Sequence, residues 1–139
     1  MKKLEQKFCT QLGKWWDNIG HKEFEYNINI EGKISTGTKP FNFKGGFKPH
    51  QLPTMIKYNI YPMHWKISDM DTISTKHYDM SCTKPEYVRG VIAIHWVRKG
   101  NKTFYLISPE VIQGLIDSGL KSLKEEVARD VCFLEGVLK

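Results

Sequence analysis

The chain has 139 residues, the length of one ordinary domain, and we expect residues 1–139 to form a single domain. Hydrophobic residues make up 40% of the chain and aromatic residues 12%, which excludes a disordered tail. The formal net charge of +6 at pH 7 favours a polyanionic partner, and no apolar run approaches the roughly 20 residues that cross a bilayer, so we expect no membrane contact.

The first predicted element is an amphipathic helix that ends near Gly20, where glycine supplies a C-terminal stop. Its apolar face comprises Leu4, Phe8, Leu12, Trp15, Trp16 and Ile19. Residues 1–14 contain neither a continuous apolar segment nor a small-residue cleavage site. The sequence therefore predicts a protein of the cytoplasm.

An alternating strand is predicted next, from Phe24 to Glu31. Side chains in a strand alternate between two faces, so one face of this strand is apolar and the other is polar. The polar row comprises Glu25, Asn27, Asn29 and Glu31. Any functional group of the strand should lie on this row. A loop rich in Gly, Ser, Thr and Lys is predicted from residue 31 to residue 40.

Helices and short strands are predicted to alternate in the rest of the chain. A second helix should begin between Pro49 and Leu52. Short strands are predicted over residues 63–67, 78–80, 87–97 and 103–107, with a polar loop over 68–75. The last two strands form a hairpin, and His95 should be a core residue within it. Two helices close the chain, over residues 111–116 and from the Ser122 capping box to Leu138.

A basic segment covers residues 32–68, which contain no Asp or Glu. Aromatic residues are interleaved with its lysines, as expected of a surface that neutralises phosphates. A solvated lysine face is the alternative. The lysines are Lys33, Lys39, Lys44, Lys48, Lys57 and Lys66.

The order of short motifs over residues 24–52 resembles that of a nuclease family. Glu25 is followed two places later by polar Asn27, and then come residues 41–44, Phe-Asn-Phe-Lys, and residues 49–52, Pro-His-Gln-Leu. This order is similar to that of RecU-type Holliday junction resolvases and their short phage relatives, in the PD-(D/E)XK nuclease superfamily. In that family a strand carries Glu-x-Lys, the next segment reads Phe-Pro-Leu-Lys or similar, and a His-Gln pair enters the following helix. Looser matches continue to about residue 130.

The resemblance implies an α/β, restriction-endonuclease-like domain, with a mixed central sheet flanked by helices and a metal site. A divalent metal polarises the phosphate and lowers the pKa of an attacking water, and Mg²⁺ prefers carboxylate ligands. Glu25 and Asp79 would bind Mg²⁺ or Mn²⁺; Asp79 is chosen because the family's usual upstream aspartate has no counterpart between residues 20 and 24. Gln51 would support the site from its helix, and Lys44 would contact the phosphate. The nucleic-acid contacts would be Lys33, Lys39, Lys44, Lys48 and His50.

Asn27 departs from the family pattern because it occupies the position of the catalytic lysine. A neutral amide can neither hold an attacking hydroxide by charge nor neutralise a negative transition state. Two alternatives stay open. One is a Mg²⁺-dependent endonuclease that cleaves branched or duplex DNA, with Lys33 or Lys44 reaching in from a loop. The other is a catalytically impaired nuclease-fold protein that binds nucleic acid or a protein partner without cleavage. The resemblance also implies a homodimer, four-way junctions as substrate, and a bacterial or phage-infected cell.

Overall fold

The computed structural model describes residues 2–24, 27–60, 63–68, 78–83 and 88–139. For residues 27, 58, 63–68, 78–83 and 88 it describes the backbone alone. In chain order the elements are α1 (Lys2–Asn18), a 3-10 turn (Gly20–Lys22), β1 (Asn27–Thr36), β2 (Phe41–Asn42), α2 (Phe43–Gly46), α3 (Gln51–Ile60), β3 (Met63–Ser68), β4 (Tyr78–Thr83), β5 (Val88–Val97), β6 (Thr103–Ile107), α4 (Pro109–Asp117), β7 (Ser122–Leu123), α5 (Glu125–Val131) and β8 (Leu134–Val137).

Four strands form a mixed central sheet in the order β1-β5-β6-β8. β1 runs parallel to β5, with Lys33 opposite Ile94, whereas β5, β6 and β8 pair antiparallel. Two small antiparallel pairs, β2 with β7 and β3 with β4, lie outside this sheet. The fold is therefore α/β with a mixed sheet, as the sequence predicts.

Helices cover both faces of the sheet because β5 is apolar on both. Ile92, Ile94 and Trp96 enter one core, which also receives side chains from α3, α4 and α5. Ala93 enters a second core, together with Phe8 and other residues of α1. A near-continuous apolar run is the expected sequence of a strand buried on both faces. The predicted first helix and the β5–β6 hairpin are confirmed.

The predicted loop over residues 31–40 is wrong, because β1 continues to Thr36. Gly32, which reads as a loop residue, is needed within the strand for the close approach of α1. A Cβ added to Gly32 would lie 3.0 Å from Sγ of Cys9 and 3.3 Å from Cδ1 of Leu12. The glycine therefore marks contact with a helix rather than a turn.

The predicted final helix is also wrong in its extent. α5 ends at Val131, and the chain then forms the edge strand β8 along β6. Gly136 explains the change, since a Cβ at this position would lie 2.1 Å from Cζ of the Phe104 ring. Ser122 lies in β7 opposite Asn42 and does not cap α5, which begins after Lys124.

Other predicted elements agree with the structure to within a few residues. α3 begins at Gln51, between the two predicted limits. β3, β4 and α4 extend the predicted segments by one to three residues, and β5 begins one residue later than predicted. The short helix α2 was not predicted; its N-cap is Asn42, whose Oδ1 accepts hydrogen bonds from the backbone N–H groups of Lys44 and Gly45. Most of the predicted loop over residues 68–75 lies outside the described residues.

His95 is a core residue, as predicted. It is 6% exposed, its ring stacks on that of Phe8 at 5.3 Å between centroids, and its Nδ1 lies 2.8 Å from the carbonyl oxygen of Thr103. The pKa of His95 is lowered, and burial is the main cause. The Thr103 hydrogen bond opposes this effect, Arg98 adds to it, and Glu125 opposes it least. The neutral imidazole is thus the form that the fold favours.

We expect the free energy of unfolding to fall as the pH is lowered from about 7 to about 5. The unfolded chain takes up a proton at its His95 pKa of about 6.5, before the folded chain does, because burial holds the folded pKa lower. The His95 contribution is therefore fully present above the unfolded pKa and is lost as the pH falls towards the folded pKa. Urea unfolding at pH 7 and pH 5 measures it. His95→Phe, which keeps the ring against Phe8, should have a smaller pH dependence; an unchanged dependence would assign the effect to other groups.

Candidate functional site

Glu31, Lys33 and Gln51 form a polar cluster between β1 and the first turn of α3. Nζ of Lys33 lies 3.1 Å from Oε1 of Glu31 and donates a hydrogen bond of 3.0 Å to Oε1 of Gln51. Nε2 of Gln51 donates to the same Oε1 of Glu31 at 2.9 Å. The three side chains therefore close a triangle of direct contacts.

The alternation of β1 places Glu31 and Lys33 on one face of the sheet. Gly32 and Ile34, between and after them, face α1 on the opposite side. Gln51 is the first residue of α3, and the rest of that helix packs into the core on the same side as the cluster. The middle of β1 and the start of α3 thus bring together residues that β2 and α2 separate along the chain.

The amide of Gln51 has a fixed orientation. Its Oε1 accepts from the Lys33 ammonium and, at 3.0 Å, from the backbone N–H of Lys48. A rotated amide would direct its N–H₂ group at both donors and would turn its oxygen towards the Glu31 carboxylate. Gln51 therefore holds the acid and the base in one arrangement.

The ammonium of Lys33 is buried, while the carboxylate of Glu31 is accessible. Their side chains are 8% and 32% exposed, respectively. Nζ of Lys33 also lies 5.5 Å from the centre of the Phe47 ring, a cation–π distance. Two of the three ammonium N–H groups are accounted for by Glu31 and Gln51. The ammonium is thus held on three sides, by a carboxylate, an amide and an aromatic ring.

Lys33 lies in a different setting from the one that the sequence predicts. The sequence predicts a loop that carries Lys33 to a phosphate, whereas Lys33 is a buried residue of β1 whose ammonium pairs with Glu31. Burial of an ammonium is costly unless the ion is paired and hydrogen-bonded, and this pairing meets that condition. The contact of Lys33 with a phosphate stays a prediction.

The other predicted site residues are distributed more widely. Gln51 lies in the cluster, whereas Glu25 lies outside the described residues. Asp79 lies in β4 opposite Ile67, and Asn27 begins β1 opposite Val88, but neither side chain is described. The four remaining predicted phosphate contacts are exposed: Lys39, Lys44, Lys48 and His50.

Sequence reasoning missed the pairing of Glu31 with Lys33, although a signal was present. Glu31-Gly32-Lys33 has the Glu-x-Lys spacing that was sought at Glu25, six residues earlier. The glycine between the two charged residues made the segment read as a loop. The contact of Gly32 with α1 shows why a strand tolerates glycine there.

The cluster offers one carboxylate to a metal ion. Mg²⁺ is commonly bound through one or two carboxylates, with waters and substrate phosphates as the remaining ligands, so Glu31 fits part of such a site. Among the described residues, no three His, Cys, Asp or Glu side chains converge on a common point.

No protein-family model, characterised protein or solved structure matches the chain. In the described part of the chain, no helix has the length and apolar character needed to span a membrane.

Proposed function

We propose that the chain is a metal-dependent endonuclease of the PD-(D/E)XK type, with a restriction-endonuclease-like fold. The observation that carries this proposal is the strand-borne pair Glu31 and Lys33, held by Gln51 from the start of α3. Two acids and a lysine suffice for phosphodiester hydrolysis with Mg²⁺, and the pair supplies one acid and the lysine. The spacing is Glu-x-Lys, as in the RecU-type resolvases that the sequence resembles.

Each residue of the cluster has a role that follows from its contacts. Mg²⁺ or Mn²⁺, when bound, polarises the phosphate and lowers the pKa of an attacking water. Glu31 would hold the ion through its accessible carboxylate. Lys33 would direct its remaining N–H group at the attacking oxygen and stabilise the negative charge that develops on the phosphate. Gln51 would keep both side chains in position.

The proposed acid and lysine are Glu31 and Lys33, each six residues after the positions that the resemblance assigns, Glu25 and Asn27. Asn27 is then not the position of the catalytic lysine. Six residues of extended strand span about 20 Å. Glu25 could therefore share a metal ion with Glu31 only if the chain folds back before Asn27. Asp79 remains the proposed second acid. Asn27→Lys should accordingly leave the cleavage rate unchanged.

We propose DNA, including four-way junctions, as the substrate and a homodimer as the acting form. The support for DNA is the charge of the segment that includes Lys33 and Gln51: no acidic residue occurs over residues 32–68, and Lys39, Lys44, Lys48 and His50 are exposed there. Four-way junctions and the homodimer rest on the resemblance to the resolvases alone. Each lysine that neutralises a phosphate releases a counterion, so binding should weaken steeply with salt. Exposed Lys44 is retained as a phosphate contact.

The test is cleavage of a labelled four-way junction and a linear duplex by wild type and Glu31→Gln. We expect wild type to cleave in Mg²⁺ or Mn²⁺ but not in EDTA, and we expect Glu31→Gln to lose cleavage by at least about 10²-fold with binding almost unchanged. Glu126→Gln, an exposed change of the same charge in α5, is the matched control. Wild-type binding in EDTA without cleavage in either metal would instead assign the chain to nuclease-fold binding proteins.

A further inference from the structure

A second polar site lies on the opposite face of the sheet from the cluster. A cavity of about 190 Å³ is enclosed by α1, by the end of β5 and by the turn between β5 and β6. One water needs roughly 10–15 Å³, so the space suffices for a larger polar group. Lys7 and Gln11 line it from the helix, His95 from the strand, and Asn101 and Lys102 from the turn.

The described walls of this cavity carry positive charge without an acidic side chain. Lys7, Arg98, Lys102 and Lys139 line it, and no Asp or Glu does. Arg98 is neutralised by Glu125 at 2.7 Å, but the three lysines make no ion pair with a described residue. Like charges around one concave surface create a potential that attracts an anion.

His95 contributes a buried polar atom to the same cavity. A carbonyl oxygen only accepts hydrogen bonds, so the Nδ1 that faces Thr103 must carry the proton. The described residues offer no hydrogen-bond partner to the other ring nitrogen, Nε2. Every fully buried side-chain nitrogen or oxygen in that part of the chain has a partner, so Nε2 is not fully buried. Because His95 lines the cavity, we infer that Nε2 is accessible from it. Without a proton, Nε2 would accept a hydrogen bond from a protonated phosphate oxygen. If the imidazole gained a proton when the anion binds, Nε2 would donate a hydrogen bond to a phosphate oxygen instead.

We propose that this cavity binds a phosphate group, with Lys7 and Lys102 as the charged contacts and His95 Nε2 as the buried one. Phosphate combines the negative charge that the lysines need with oxygens that can share a proton with imidazole. His95 packs on the α1 side of the sheet and Ile94 on the α3 side, where Glu31 and Lys33 lie, so this site is separate from the cluster. The proposal holds whether or not the chain cleaves DNA.

The test is a titration with sodium phosphate against sodium chloride at equal ionic strength. We follow the melting temperature and the imidazole NMR signals of His95, assigned by their absence in His95→Gln. We expect saturable stabilisation and a shift of the His95 signals with phosphate alone. Lys7→Gln combined with Lys102→Gln should weaken phosphate binding about tenfold or more.

The matched control is Lys3→Gln combined with Lys99→Gln, which removes the same charge from the same helix and turn outside the cavity. It should bind phosphate within about twofold of wild type. Equal weakening by both pairs, or an equal effect of chloride, would overturn the proposal. The shift of the His95 signals by oligonucleotides of one sequence, with a 5′-phosphate or a 5′-hydroxyl, identifies the source. A larger shift with the 5′-phosphate indicates a terminal monoester, an equal shift a backbone diester, and no shift free phosphate.

Discussion

Replacement of Lys33 by Met should reduce the rate of DNA cleavage by about 10²–10³-fold, the effect of removing one preorganised donor from a transition state. The side chain keeps its length but loses the ammonium that lies 3.1 Å from Glu31 and 3.0 Å from Gln51. DNA affinity should change little, because the ammonium is buried and cannot contribute much to an exposed phosphate surface. Single-turnover cleavage and a binding titration in EDTA measure the two effects separately.

Lys44→Met is the control that separates catalysis from charge. Lys44 is exposed on α2, so its loss should weaken DNA binding and reduce the salt dependence by about one unit of slope. Lys33→Met will also remove one charged partner from Glu31 and one from Gln51, at a cost of about 1–3 kcal/mol in the free energy of unfolding, although Gln51 still bonds to Glu31 and to the backbone of Lys48. Urea unfolding must therefore show that the variant is folded under assay conditions. Cleavage at the wild-type rate by folded Lys33→Met would refute the role of Lys33.

Replacement of Phe104 by Ala should lower the free energy of unfolding by about 3–5 kcal/mol, the usual range for removing a buried aromatic side chain. Phe104 is fully buried, and its ring packs edge-on against Trp15 at 5.0 Å and against Phe8 at 6.0 Å. It therefore connects α1 to the sheet. Equilibrium urea unfolding followed by tryptophan fluorescence measures the change.

Phe133→Ala removes the same atoms from an exposed position, since Phe133 is 49% exposed. Its cost should stay below about 1.5 kcal/mol, in proportion to the area that it buries. Equal costs for Phe104→Ala and Phe133→Ala would show that α1 does not depend on this core. A second readout is the His95 ring, whose NMR signals should change in Phe104→Ala because both rings contact Phe8.

The elements that the sequence predicted well are those whose pattern is local. α1 has an uninterrupted apolar face, and the β5–β6 hairpin combines β-branched runs with a turn that contains Gly100 at a φ of 80°. β8 could not be recognised, because Leu134 and Leu138 continue a helical spacing from α5. β8 packs beside Phe104, which is distant in sequence. A Cβ at residue 136 would overlap the Phe104 ring, so this packing requires Gly136.

The candidate site was predicted in part for the same reason. Gln51 at the entry to a helix was recognised from the His-Gln pair, and its contacts agree with a supporting position. The resemblance assigns the acid to Glu25 and the lysine position to Asn27, and the composition of residues 31–40 predicts a loop, so Glu31 and Lys33 do not stand out as a strand-borne pair. Only the packing of α1 against Gly32 reveals that the strand continues.

The parallel pairing of β1 with β5 has a consequence for the order of folding. Lys33 and Gln51 are close along the chain, whereas Ile94, the residue opposite Lys33 in the β1–β5 pair, lies much further along it. Parallel pairs of this separation close large loops and are expected to form slowly. During synthesis, β1 cannot complete its pairing with β5 until residue 97 has been made. We therefore expect the cluster to be among the last features to mature, after α1 and the β5–β6 hairpin have formed.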